Sequence, residues 1–328
     1  MGRTSGRGDG RGWRRRSAGY TRARSISGSA APPKGRRARY ALVALTLSSA
    51  LPLFGCQPFE QLGASIVFRA PNHGLATPAP QPGEIQVPVG PPIATLALEI
   101  VDAAAPRGTI FVLHGIRAQR GDFRPWADML VGAGFRVVLV DLRGHGRSTG
   151  DWLTYGVVES RDLSQVLDAL DARGLRAGPV GVMGFSYGAA VAIEWAGDDP
   201  RVEAVVAVAP FASLRTVVPG YTLLPLPRSF VNGAIDAGGR EAGFDPDRAS
   251  PLLAIARTRA QILLIHGEED HRIPAWHSRL LFAAATDAEL VLVPGAGHLS
   301  MLEEAVIRRR VPPWFAAHLG ATPGAEMP

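Results

Sequence analysis

The 328-residue chain has one cysteine, Cys56. A disulfide within the chain is therefore excluded, and so is a thiolate cluster that would hold zinc or an iron–sulfur centre. Internal repeats are absent, which excludes solenoid and propeller arrays. Acidic residues are nearly missing from residues 1–39, where 12 Lys and Arg face only Asp9, while the other 289 residues carry 23 basic and 28 acidic groups. The net charge of +6 thus belongs to a tail, and the rest of the chain is mildly acidic. A nucleic-acid partner loses its main support. With 46% hydrophobic residues, the remainder has ample material for a sizeable core.

The Arg-, Gly- and Ser-rich stretch 1–39 has too few large apolar residues to fold. Behind it, Tyr40 to Gly55 form 16 uncharged residues, short of the roughly 20 that a membrane-spanning helix needs. Basic residues, a short apolar stretch and small residues make a secretory signal. Its end, Leu53-Phe54-Gly55-Cys56, resembles a bacterial lipoprotein signal. That resemblance implies export, lipidation of Cys56 and association with a membrane; an uncleaved anchor or ordinary export remains open. Prolines crowd "PNHGLATPAPQPGEIQVPVGPP" from Pro71 to Pro92, so residues 57–83 are expected to be a proline-rich tether. The organisation expected is a basic tail (1–39), a signal or anchor (40–56), the tether (57–83), a folded domain (84–320) and a short tail (321–328).

Within 84–320, apolar β-branched runs alternate with helical patterns. The runs are "IATLALEIV", "TIFVLHG", "RVVLVD", "PVGVMGFS", "VEAVVAVAP", "QILLIHG" and "ELVLVP". Between Val158 and Arg173, Leu163, Val166, Leu167 and Leu170 share one helical face. Continuous apolar strands separated by helices predict an α/β fold: a mostly parallel central sheet with helices on both faces. Residues 211–256 break the alternation and carry no convincing strand. A segment of that length is expected to have a role, here a small cap whose Val217, Val218, Tyr221, Leu223, Leu224 and Leu226 line an apolar pocket.

The stretch "GFSYG" places Ser186 between Gly184 and Gly188, after a strand and before a helix. That strand–turn–helix setting is what a G-x-S-x-G motif needs, because the serine then stands at the carboxyl ends of the strands with a helix N-terminus behind it. A serine hydroxyl is a weak nucleophile and requires a base, which in turn requires an orienting carboxylate. Asp270 follows one later strand and His298 the next, each delivered to the same edge as Ser186. His266 and His271 read as structural, and Glu268 and Glu269 as weaker rivals to Asp270. Gly144, Gly146 and Gly150 are spaced one residue too widely for a dinucleotide fingerprint.

Taken together, His114-Gly115, the run Asp141 to Ser148, Gly184 to Gly188, His266 to Pro274, and Gly295 to His298 resemble the α/β-hydrolase family over residues 84–320. The resemblance implies that Ser186 is the nucleophile, His298 the general base and acid, and Asp270 the residue that orients the imidazole. It implies an oxyanion hole formed by the N–H groups of Tyr187 and Ile116, with Arg117 as the alternative to Ile116. No cofactor or metal is called for, and the expected partner is a small-molecule acyl substrate. An ester or thioester suits the apolar cap; an amide, as in serine aminopeptidase-like or prolyl-oligopeptidase-like members, is the alternative, although Asp236, Glu241, Asp245 and Asp247 are the cap's only acids. A non-catalytic binding protein of the same fold remains a third reading.

Overall fold

The protein is described by a computed structural model over residues 57–221 and 226–319. Cys56, the expected signal, Leu223, Leu224 and both tails lie outside these residues. The chain runs α1 (Gln57–Phe68), β1 (Glu84–Val89), β2 (Ala94–Val101), β3 (Thr109–Leu113), α2 (Arg124–Gly132), β4 (Arg136–Val140), α3 (Glu159–Ala172), β5 (Val180–Phe185), α4 (Tyr187–Asp198) and β6 (Val202–Val208). It continues with α5 (Leu214–Val217), α6 (Arg228–Ala242), α7 (Pro251–Ile255), β7 (Gln261–Gly267), α8 (Trp276–Ala284), β8 (Ala288–Val293) and α9 (Ala305–His318). The strands lie in the order β1-β2-β4-β3-β5-β6-β7-β8. β1 and β2 pair antiparallel, as do β2 and β4, and every pairing from β4 through β3 to β8 is parallel.

Every residue of β3 and β5 is buried, as expected of central strands covered on both faces. Side chains alternate across the sheet. Phe111 and Leu113 therefore join one core with Leu163, Val166, Leu167 and Leu170 of α3 and Trp195 of α4, while Ile110 and Val112 join another with Leu130 of α2 and Phe315 of α9. α4 is buried from Tyr187 to Ala196, so its small apolar residues face neighbours all round rather than forming one stripe.

Two segments differ from the sequence expectations. Glu84–Val89 is a strand despite Pro88, which is tolerated because β1 is the sheet's edge and pairs only with β2. Residues 57–70, expected within the tether, instead form α1 and a short bridge from Arg69 to Trp152. Phe68 is fully buried, 5.7 Å from the Tyr155 ring and 5.8 Å from Phe244. A β-carbon at Gly238 of α6 would collide with Phe68, so this glycine is what lets α1 approach. The following loop is also fastened: Asn72 donates to the carbonyls of Gly146 and Ser148, and Arg147 donates to that of Ala79. Between residues 211 and 256 the described part is helical, in α5, α6 and α7. No helix among the described residues is long and apolar enough to cross a membrane.

Candidate active site

β5 ends at Phe185 and α4 begins at Tyr187, so the chain must reverse within one residue. Ser186 does this with φ 54° and ψ −110°, a conformation unusual for any side chain but glycine. Its N–H donates to Val208 O at 2.8 Å, anchoring the turn to β6. The flanking glycines are required by contact: a β-carbon at Gly188 would stand 2.5 Å from His114 O, and one at Gly184 would strike the Gly188 carbonyl.

Ser186 Oγ lies 3.0 Å from His298 Nε2, and His298 Nδ1 lies 2.6 Å from Asp270 Oδ2. The other oxygen, Asp270 Oδ1, accepts the N–H groups of Arg272 (2.9 Å) and Ile273 (2.8 Å). Burial alone would raise the pKa of Asp270, but hydrogen bonds from His266, His298 and the Ile273 N–H outweigh it and hold the carboxyl well below its ordinary range. An ionised Asp270 fixes the proton on Nδ1 of His298 and leaves Nε2 free to accept from Ser186. The loops carrying Asp270 and His298 meet because Gly267 leaves room for the Ala296 carbonyl, which accepts the Glu269 N–H at 3.0 Å.

Of the rival groups, His266 is buried and donates from Nε2 to Ile273 O while its Nδ1 accepts from the Ser278 hydroxyl. It braces the Asp270 turn and does not reach Ser186. His114 is likewise spoken for: Nδ1–H donates to Gly115 O, and Nε2 accepts the Leu142 N–H. Burial lowers its pKa to about 4, so it stays neutral. The glycine-rich run after β4 is a clamp rather than a nucleotide loop. Asp141 there accepts from Arg120 and from the Arg147 N–H, and Arg120 and Arg147 both reach Glu84.

Ser186 opens onto a cavity of about 350 Å³ whose wall includes Ile66, Val67, Ile116, Phe211, Val217 and Tyr221. Tyr187 N–H is the first of α4, which a helix leaves without an internal acceptor. Ile116 sits in a turn closed by Ala118 N–H donating to Gly115 O at 3.1 Å. Val217 and Tyr221 are on the wall as expected; Val218 is buried in the core and Leu226 is exposed. Five wall residues escaped the sequence reading: Ile66, Val67, Tyr155, Phe211 and Arg272. For the first two a signal existed, since Leu62 and Ile66 against Ala64 and Phe68 make two faces of a helix. Tyr155 carried none, lying in an irregular loop with φ 55°. Glu159 was also missed. Its buried carboxylate accepts from Thr154 N–H and hydroxyl, Gly156 N–H and the Tyr187 hydroxyl, tying the loop before α3 to the residue after Ser186.

Comparison with known proteins agrees with this fold. A solved esterase of Pyrococcus furiosus superposes with a TM-score of 0.59 at 22% identity, covering 76% of this chain and 100% of that one. The chain has the α/β-hydrolase fold. A family model described as serine aminopeptidase, S33, matches residues 104–233 of it. A monoacylglycerol lipase of Mycolicibacterium smegmatis is 29% identical over 257 residues, 65% of this chain and 90% of the lipase. An uncharacterized Bacillus subtilis protein, YqkD, is 26% identical over 205 residues, and the alignment spans 59% of this chain and 65% of that relative. In this α/β-hydrolase fold, Ser186, Asp270 and His298 follow three different parallel strands at their carboxyl ends. Among the described residues no cluster of His, Cys, Asp or Glu has the arrangement of a metal site.

Proposed function

We propose that the protein is a serine hydrolase that cleaves a carboxylic ester or thioester through an acyl-enzyme. The hydrogen-bonded series Ser186–His298–Asp270 at the mouth of an apolar cavity carries the reading. Ser186 Oγ attacks the acyl carbonyl as His298 Nε2 takes its proton, and Asp270 stabilises the resulting imidazolium. The N–H groups of Tyr187 and Ile116 receive the oxyanion. His298 then protonates the leaving alcohol or thiol, and a water molecule repeats the sequence to release the acid. Similarity to a monoacylglycerol lipase and to an esterase fold supports an ester. The serine aminopeptidase description favours an amide instead. Against it, among the described residues the cavity wall has no carboxylate to hold a free amine: Asp236 and Asp247 are paired with Arg215, and Asp245 caps the turn at Asp247.

A fluorophosphonate is expected to label Ser186, identified by mass spectrometry of the adduct, and the full chain to hydrolyse short 4-nitrophenyl esters faster than the matching aminoacyl anilides. Undiminished labelling in Ser186→Ala would sink the assignment, and preferential anilide turnover would move it to the amide. Placement at a membrane through Cys56 belongs to the same proposal, motivated by Leu53 to Cys56. Export should yield a chain beginning at acylated Cys56; an intact N-terminus by mass spectrometry would contradict it.

A further inference from the structure

We infer that this pocket selects acyl substrates carrying an anionic group, a carboxylate or a phosphate, received by Arg117 and Arg272. The inference rests on the ester-hydrolase reading of Ser186 and adds the class of substrate. Among the described residues of the cavity wall, Arg117 and Arg272 are the only charged ones; apart from Ser186 the others are apolar or phenolic. They come from opposite sides of Ser186: Arg117 from the turn after β3, Arg272 from the turn that holds Asp270.

Neither guanidinium has a carboxylate partner among the described residues, whereas many of the protein's arginines do. Arg120, Arg124, Arg136, Arg143, Arg147 and Arg201 all form ion pairs. The Asp270 carboxylate is not available to Arg272, since both its oxygens are already engaged by His298 and by backbone N–H groups. Arg117 also holds φ 61°, a left-handed conformation that an arginine adopts at a cost. Each charge is felt by a phenol of the wall, Arg117 by Tyr155 and Arg272 by Tyr221, and both residues are exposed at the rim of the cavity. Two unpaired guanidiniums flanking an apolar cavity attract an anion and repel the ammonium of a free amine. Planar, multiple N–H donors suit carboxylate and phosphate oxygens alike.

The test compares matched esters on the full chain. One pair is 4-nitrophenyl hydrogen glutarate and its neutral methyl ester, with the charge on the acyl side; the other is a 1-acylglycerol 3-phosphate and the 1-acylglycerol, with a phosphate on the alcohol side. For at least one pair, kcat/KM at low salt is expected to favour the anionic member by about tenfold, and the preference to shrink at 0.5 M salt because the rim is exposed and screened. The pair that responds identifies carboxylate or phosphate as the source. In Arg117→Gln and Arg272→Gln the ratio of anionic to neutral kcat/KM falls, and in the double variant it approaches one. Arg117→Glu is expected to disfavour the anionic member outright. No preference in either pair, or an unchanged ratio in the double variant, overturns the inference while fluorophosphonate labelling of Ser186 still stands. Loss of labelling together with turnover of neither member would overturn the hydrolase reading as well.

Discussion

Ser186 holds a backbone conformation that costs a non-glycine residue about 1–3 kcal/mol, and its surroundings impose it through Val208 O, Gly184 and Gly188. The strained turn points the hydroxyl at His298 and leaves the Tyr187 N–H facing the same space. Replacing Gly184 by alanine should therefore lower activity more than stability: the new methyl group meets the Gly188 carbonyl and can be relieved only by moving Ser186. A Gly184→Ala protein that labels with fluorophosphonate at the wild-type rate would contradict this. Asp270 makes a separate case. Because its pKa is held low, it stays ionised throughout the neutral range, and in the proposed mechanism it contributes to tautomer and charge rather than to proton transfer. Asp270→Asn should fold normally by circular dichroism yet lose roughly 10³–10⁴-fold in kcat; a near-normal rate would turn attention to Glu268 and Glu269.

α1 covers the core and furnishes part of the pocket wall. Its buried face, Ala64 and Phe68, seats against α6, while Ile66 and Val67 border the cavity above Ser186. The Tyr155 hydroxyl donates to Val67 O at 2.9 Å, so α1 and the loop before α3 are held as one wall. Truncating Phe68 to alanine removes a fully buried ring and is expected to cost about 3–5 kcal/mol. In urea unfolding the midpoint should fall, and with the wall displaced kcat/KM for a short ester should fall with it. Glu159 offers a sharper contrast. Its carboxylate accepts four hydrogen bonds, including the Tyr187 hydroxyl at 2.8 Å, and it never touches the cavity. Glu159→Gln keeps the shape but replaces one acceptor oxygen by a donor, so Tyr187 and its N–H shift and kcat should drop with KM little altered. If the additional Tyr187→Phe change costs Glu159→Gln as much as it costs wild type, the coupling is absent.

Several buried groups make stability depend on pH. Burial lowers the pKa of His114 to about 4, of His145 to about 3 and of His277 to about 4. The folded protein refuses protons that these side chains accept when unfolded, so the stability they confer is complete above about pH 6.5 and is lost as the pH falls toward 4. Glu194 works the other way. Burial raises its pKa well above the ordinary carboxyl range, and its Oε1 has no hydrogen-bond partner among the described residues. Its stabilising protonated form is favoured at low pH and gives way as pH rises. Burial also raises Asp162, to about 6, so it opposes the histidines together with Glu194. Three histidines stand against these two carboxyls, and the unfolding free energy in urea is expected to be lower at pH 5 than at pH 7. Equal values at the two pH points would mean that the histidines are not held neutral.

The α/β fold was legible in the chain because central parallel strands must be apolar on both faces, and runs such as "TIFVL" and "VGVMGF" admit no other setting. The positions of Ser186, Asp270 and His298 were legible for a related reason: each lies within five residues of the end of a parallel strand, and parallel strands bring their carboxyl ends to one edge whatever the sequence separation. Folding in three dimensions settled what periodicity does not carry. β1 exists because an edge strand leaves the N–H position that Pro88 lacks without need of a partner. Residues 57–70 were obscured by the prolines downstream, and only Gly238, by admitting Phe68, turns that segment into a helix docked on α6 and a wall of the pocket. Arg272 and Tyr155 reach the cavity from irregular turns, where no spacing rule relates sequence to direction. Their place depends on which carbonyls and carboxylates the finished sheet presents to them.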